Sequence, residues 1–259
     1  MSVEMAAGSV ARDLLQVIQA LLDSPATSTT LWITATLASY WAAAALYRAT
    51  RAHPLCLPVV TGTAAVIALL RATGTSYETY FAAVRPLVFL LGPATVALAV
   101  PMHGQIKTLR NIWKPIAAAL AVGSTVAVGS AVAIGWVFGA HAPTLVAIAP
   151  RSATMPIATS LAEHFGGPAS LAAVAVLVTG VAGTMLCGPV LRWVVRSEDE
   201  AVQGFALGLT AHAIGTGRAL QISERAGAYA ALGMGLNGLL TAVLMPAAVA
   251  AIALLGAGG

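Results

Sequence analysis

With 259 residues, 59% of them hydrophobic and only 8% charged, this chain falls far below the roughly one-quarter charged content of soluble globular domains. Its net charge of +4 fits the basic cytoplasmic loops of a membrane protein and argues against nucleic-acid binding. The two cysteines, Cys56 and Cys187, sit in separate apolar runs without a CxxC partner, which argues against metal or redox work.

Long runs carry no Asp, Glu, Lys or Arg: Ser24 to Tyr47, Ala52 to Leu70, Pro86 to Ile106, Pro115 to Pro150, His164 to Leu191 and Ala226 to Gly259. Each reaches or nears the ~20 residues that a helix needs to cross a bilayer, and the longest could cross and turn. Period-two alternation is absent, so helices rather than a barrel satisfy the backbone in lipid. The expected fold class is all-α: a polytopic helical membrane protein with about six full spans and two broken or re-entrant segments.

Residues 9 to 22 place Val10, Leu14, Leu15, Val17, Ile18, Leu21 and Leu22 at helical spacing, an amphipathic segment ended by Ser24-Pro25. Residues 1–26 are read as this segment and 27–259 as the membrane domain. There is no basic stretch ahead of the first apolar positions, so no cleaved signal peptide is expected. The first span covers about Thr29 to Tyr47, with Trp32, Tyr47, Arg48 and Arg51 as interfacial anchors. The Arg48/Arg51 loop is placed in the cytoplasm and the N-terminus outside. A short second span, about Leu55 to Leu70, is followed by a loop from Arg71 to Arg85.

The third span, about Leu87 to Met102, carries Gly92-Pro93 and ends at Pro101; proline removes a backbone donor and breaks or kinks a helix. Lys107, Arg110 and Lys114 form the strongest cationic cluster and are read as cytoplasmic. The fourth span, about Ile116 to Phe138, has small residues, with Gly135 and Gly139 as a GxxxG pair for close packing. Later spans cover about Ser170 to Val190 and Ala228 to Leu254, the last interrupted by Asn237-Gly238 and Pro246. Between them, Gly204 to Arg218 reads as a re-entrant or broken helix. An internal repeat is suggested, about 55–138 and 169–254, with a broken middle member in each half. Paired broken segments point to a transporter site near the midplane.

Two stretches stand apart. Pro150-Arg-Ser-Ala-Thr-Met-Pro156 puts Arg151, Ser152 and Thr154 between two prolines, and Thr210 to Arg218 puts His212, Thr216 and Arg218 around Gly215 and Gly217. A guanidinium at membrane depth is costly and functional by default, and it holds carboxylates or phosphates bidentately. The bland alternative is an interfacial arginine snorkelling to headgroups. Backbone amides of the Gly-rich break would favour an anion at a half-helix N-terminus. His212 is the candidate for proton coupling, against the commoner role of a structural hydrogen bonder. Thr95 and Asn237, beside other breaks, either line a path or bond a neighbouring helix. Gly233 to Gly238 spells GxGxxG, but no strand precedes it and no acidic residue follows it, so the dinucleotide reading fails. No HExxH, GxSxG or P-loop occurs; the chain is read as not an enzyme, with no metal and no cofactor.

Five segments, Leu91 to Pro101, Pro150 to Ala158, Gly166 to Val174, Leu207 to Leu220 and Asn237 to Ala242, resemble the LrgB/CidB family of bacterial inner-membrane proteins. That family also includes the C-terminal half of the plant plastidal glycolate/glycerate translocator. The resemblance covers roughly Thr30 to Pro246. Most members carry lysine where this chain has Arg151, and alanine at Gly217; the arginine keeps the charge but alters its geometry. The resemblance implies either transport of small carboxylates such as glycolate, glycerate or pyruvate, or antiholin/holin-like control of murein hydrolase export and cell lysis. The second role would be shared with a small LrgA/CidA-type membrane partner. The expected setting is the bacterial inner membrane, multi-pass, as a homo-oligomer. In the transport reading Arg151 holds the carboxylate and Ser152, Thr154 and Thr216 add hydroxyl contacts. Arg218 forms an opposing basic wall, and Pro93, Pro101, Pro150, Pro156, Gly215 and Gly217 make the breaks.

Overall fold

A computed structural model describes residues 16–17, 25–50, 56–97, 103 and 110–256. The amphipathic segment of residues 9–22, Arg51, Pro101 and Lys107 fall largely or wholly outside them. Among the described residues the chain is all-helical and forms two compact units, Met1–Val96 and Ala97–Gly259.

In the first unit, α1 (Pro25–Ala49) packs along α2 (Pro58–Thr73). Gly74, at φ 66°, closes α2 in the left-handed conformation that glycine adopts without penalty. The chain then bends by 117° into α3 (Tyr77–Ala83). The Ser76 hydroxyl caps α3 by accepting from the Thr79 amide at 3.2 Å. That helix lies within the stretch expected to be a loop. Two other expectations also change. Trp32 and Tyr47 are 4% and 6% exposed, so they are not interfacial anchors. Trp32 meets Tyr80 edge to face at 5.4 Å and packs on Ala83 and Val84, because the α3 bend brings these rings together. Pro93 does not end its helix either: α4 (Arg85–Ala97) runs through it.

The second unit holds three long apolar helices: α5 (Trp113–Val137), α8 (Ala169–Val190, extended by a π-helical turn, Leu191–Val195) and α10 (Glu224–Gly256). Among the described residues these three are long and apolar enough to cross a membrane, or four if the bent α2–α3 pair counts as one span. Three of the six expected spans meet that test. Asn237-Gly238 and Pro246 do not interrupt α10, which is one helix of 33 residues; proline deletes its own backbone bond while the flanking bonds keep the rod together.

Between α5 and α8 the chain makes a helical hairpin of α6 (Ala142–Ile148) and α7 (Met155–His164). The reversal is visible in its base. A side chain at Gly167, just after α7, would meet the Ala147 amide at 2.9 Å and the Pro143 carbonyl at 3.0 Å, so the chain returns to where α6 began. Between α8 and α10 lies α9 (Glu200–Ile222), which is also a hairpin. His212 breaks it at φ 41°, ψ −128°, far outside helical values. Its two arms, 200–211 and 213–222, lie back on each other, since Gly215 abuts the Leu207 carbonyl eight residues earlier. Its ends meet as well: the Ser223 hydroxyl donates to Glu200 Oε2 at 2.8 Å, and Arg225 pairs with Asp199 at 3.7 Å.

The first arm of α9 runs parallel to α10 on a seam of small residues. Gly204 and Gly208, one turn apart, press directly on the backbone of Ala226 and Ala230. Such a seam lets two backbones approach closely. The GxxxG pair seen in the sequence serves otherwise: Gly135 faces Leu145 and Ile148 of α6, and Gly139 (φ 75°) forms a turn.

The two hairpins enter from opposite ends of α8. At its start, Ala172 packs with Ala147 and Ala162 of the α6–α7 hairpin. Near its end, Cys187 packs with Leu207, Ala219 and Ala226 at the α9 hairpin. Between these ends, Val176 touches Ala153 and Ala158 of the first hairpin and bonds His212 of the second. The tips therefore meet within the length of α8, away from both its ends.

Candidate functional site

The first tip is made by Pro150 and the turn after it. Pro150 cannot donate and is fully buried; Arg151 N donates to Ile148 O at 3.2 Å and Ala153 N to Pro150 O at 2.9 Å. Pro156 lies within the first two positions of α7, where its missing donor costs nothing. The turn projects Arg151, half-buried, against α5, where Nη2 donates to the Ser130 hydroxyl at 3.2 Å. Ser130 donates on to Ala127 O at 3.3 Å. Among the described residues no carboxylate pairs with Arg151; the one ion pair is Arg225–Asp199.

The second tip is held by His212, 3% exposed, whose Nε2 lies 3.0 Å from the Val176 carbonyl. The donor there is the Nε2–H, which fixes that tautomer. Gly180 makes room for the ring, since a methyl there would sit 2.7 Å from Cε1. Thr216 donates to His212 O at 2.8 Å and lies 3.7 Å from Met234 Sδ.

Asn237, fully buried on α10, joins both tips. Its Nδ2 donates to Ser152 O at 2.8 Å and to Leu209 O at 3.1 Å, while Oδ1 accepts from Ser124 at 2.6 Å. Backbone carbonyls left without helix partners at two breaks are thus satisfied by one side chain, as apolar surroundings require.

Where the tips meet, a cavity of about 460 Å³ opens. Its wall takes Val126 and Ala127 from α5, Arg151 and Ser152 from the first tip, Thr179 and Ala182 from α8, and Thr210 from the second. Among the described residues Arg151 is the one charged residue on this wall. A guanidinium has five N–H donors, so after the single Ser130 contact it keeps donors for an anion. The wall carries no acidic group among the described residues. Among the described residues no cluster of His, Cys, Asp and Glu is placed to hold a metal.

The structure brings Arg151 and Ser152 together on the cavity wall and sets Asn237 behind them. His212 and Thr216 are buried in the second tip. Thr154 is the N-cap residue of α7, and Arg218 lies on the second arm of α9, bonded to Gln221 at 3.2 Å; neither lines the cavity. Gly215 is packed between the arms, while Gly217 faces open space. Pro93 and Thr95 belong to α4 of the first unit. The anion was expected at a half-helix N-terminus, yet Leu209 and Thr210 bring the C-terminal end of the first α9 arm to the wall. Sequence reasoning missed Ser124, Ser130, Thr179 and Thr210. Ser124 and Ser130 lie in the small-residue fourth span, and nothing local distinguishes a packing serine from one that supports a guanidinium.

The profile of the LrgB-like family matches residues 36–251. Among similar proteins, YxaC of Bacillus subtilis, described as uncharacterized, is 34% identical over 83% of this chain and 92% of its own length. The holin-like protein CidB of Staphylococcus epidermidis is 26% identical over 75% of this chain and 84% of its own. The antiholin-like protein LrgB of Bacillus mycoides is 26% identical over 83% and 93%. No solved structure matches the chain.

Proposed function

Since this chain belongs to the LrgB-like family, we propose that it works as a multi-pass protein of a bacterial inner membrane with a holin-like or antiholin-like role. The names of its relatives carry this reading and favour it over carboxylate transport. In it, the chain controls murein hydrolase export and lysis with a small LrgA/CidA-type partner.

One geometric observation favours a second reading, a carrier of small organic anions of the glycolate, glycerate or pyruvate class. It is the lone Arg151 guanidinium on the wall of a 460 Å³ cavity between two helix breaks. A guanidinium in such a place stays charged and matches a carboxylate bidentately, and broken helices at mid-depth are the usual setting of transporter sites. Ser152 stands beside it on the wall, and alternating access would proceed by movement of the tips. The α7 arm, 10 residues or roughly 15 Å, reaches about halfway through a ~30 Å hydrocarbon core.

The order span, hairpin, span occurs twice, α5 to α8 and α8 to α10, and this order supports a reading of the internal repeat as two inverted units sharing α8. Basic residues favour one orientation. Lys114, Arg192, Arg196 and Arg225 all lie toward the base of the α9 hairpin, while the stretch from Gly139 to Pro143 and from Glu163 to Pro168 holds no Lys or Arg. The positive-inside rule places the α9 base in the cytoplasm.

Proteoliposomes separate the two readings. Saturable uptake of labelled glycolate or pyruvate, abolished in Arg151→Ala, supports the carrier. Dye leakage that the mutation leaves intact, with no carboxylate uptake, sinks the carrier and supports the holin-like reading.

A further inference from the structure

We infer that Asn237 is a positioning residue that pins the two hairpin tips to each other, and that release of its two amide bonds opens the Arg151 cavity. Each tip has its own tie: Arg151 to Ser130 for the first, His212 to Val176 for the second. Among the described residues, the Asn237 side chain alone bonds both. The amide has two N–H donors; one goes to Ser152 O and the other to Leu209 O, at sequence separations of 85 and 28 residues. Leu209 lies in the last turn of the first α9 arm, where carbonyls have no partner further along the helix. Ser152 lies in a turn, off any helix ladder.

The remaining atom is used to aim the other two. Ser124, fully buried on α5, donates to Oδ1 at 2.6 Å, which fixes the amide plane so that both N–H groups point at the tips. A residue needed for packing alone would require neither two donors nor an oriented oxygen. Leucine has this bulk without bonds, and aspartate has this shape without donors.

Ser152 and Leu209 also line the cavity. Moving either tip away from α10 breaks one Asn237 bond and widens the wall at that tip. The pin therefore holds the two tips in place on this wall, and its release is felt at both tips together. This rests on the cavity being the working site, whatever passes through it.

Hydrogen exchange on the full-length protein in nanodiscs tests the pin without any substrate. In Asn237→Asp, amides of 151–153 and 209–214 are expected to exchange at least tenfold faster, both groups together, while amides 163–167 and 202–205 at the hairpin bases stay within twofold. Access is read separately by Thr179→Cys in a Cys56→Ser, Cys187→Ser background, labelled with a water-soluble maleimide; Asn237→Asp should speed labelling at least fivefold. Acceleration at one tip alone, or acceleration spread evenly over the chain, overturns the proposal. So does unchanged labelling with loosened tips. Where Asn237→Asp does not fold, Ser124→Ala decides: it keeps both tip bonds but unfixes the amide, so a smaller, still paired acceleration supports the pin and wild-type exchange refutes it. Because no anion enters these measurements, their outcome is independent of whether carboxylate uptake is found.

Discussion

The seam between α9 and α10 gives the sharpest stability test. A methyl added in Gly208→Ala would lie against the Ala230 carbonyl, 2.6 Å from its carbon and 2.7 Å from Cα. Ordinary carbon contacts lie at about 3.5–4.0 Å, so the helices must part by roughly 1 Å. Because the obstacle is backbone, no side chain can swing aside. Overpacking of this kind costs about 1–3 kcal/mol, here toward the upper end. Against it stands the gain of about 1 kcal/mol for alanine over glycine within a helix. The net loss is about 2 kcal/mol, or roughly 4–8 °C in thermal midpoint for a unit of this size. Gly217→Ala, on the same hairpin, is the control. It meets nothing within 4 Å, so it keeps the propensity gain and should be neutral to stabilising by up to about 1 kcal/mol. Thermal unfolding in detergent, followed by circular dichroism, reads both. Equal midpoints for Gly208→Ala and wild type, or equal losses in the two variants, would refute the parallel seam.

Arg151→Ala should abolish saturable binding or uptake of a small carboxylate, and Arg151→Lys should retain part of it with at least tenfold weaker affinity, checked by uptake at varied concentration. Gly180→Ala should push the His212 ring off Val176 O, since the methyl falls 2.7 Å from Cε1; the His212 proton resonances would shift, and an unmoved spectrum would show that the ring does not fill this notch. Arg225→Ala should cost less than about 1 kcal/mol in thermal unfolding, because the pair with Asp199 is 3.7 Å long and both side chains are 47% exposed.

The long helices α5, α8 and α10 were legible because apolar runs of that length have few other uses, and Arg151 because a charge amid them demands a reason. The hairpin reversal in α9 was harder to see. The left-handed residue is His212, not one of the neighbouring glycines that the eye takes for the break, and only tertiary packing forces that conformation on it. Pro93 and Pro246 misled in the opposite direction, since a helix in apolar surroundings keeps its course past a missing donor. Trp32 looked like an anchor because composition does not tell which side of a helix faces a neighbour. Asn237 was seen as a polar group inside a span, but its double attachment joins segments far apart in the chain, and no local pattern encodes that.

The Asn237 contact also sets an order on biosynthesis. The carbonyl of Ser152 waits for a donor that lies 85 residues further on, in a helix that leaves the ribosome well after the first hairpin. At about 5–20 residues per second, that interval is roughly 4–17 s. An open carbonyl is not tolerated in lipid, so the first hairpin is expected to stay near the water layer while α8 and the α9 hairpin are made. It would sink to its final depth only when α10 arrives. A chain truncated before residue 237 should therefore insert α5 and α8 and leave residues 149–154 open to protease.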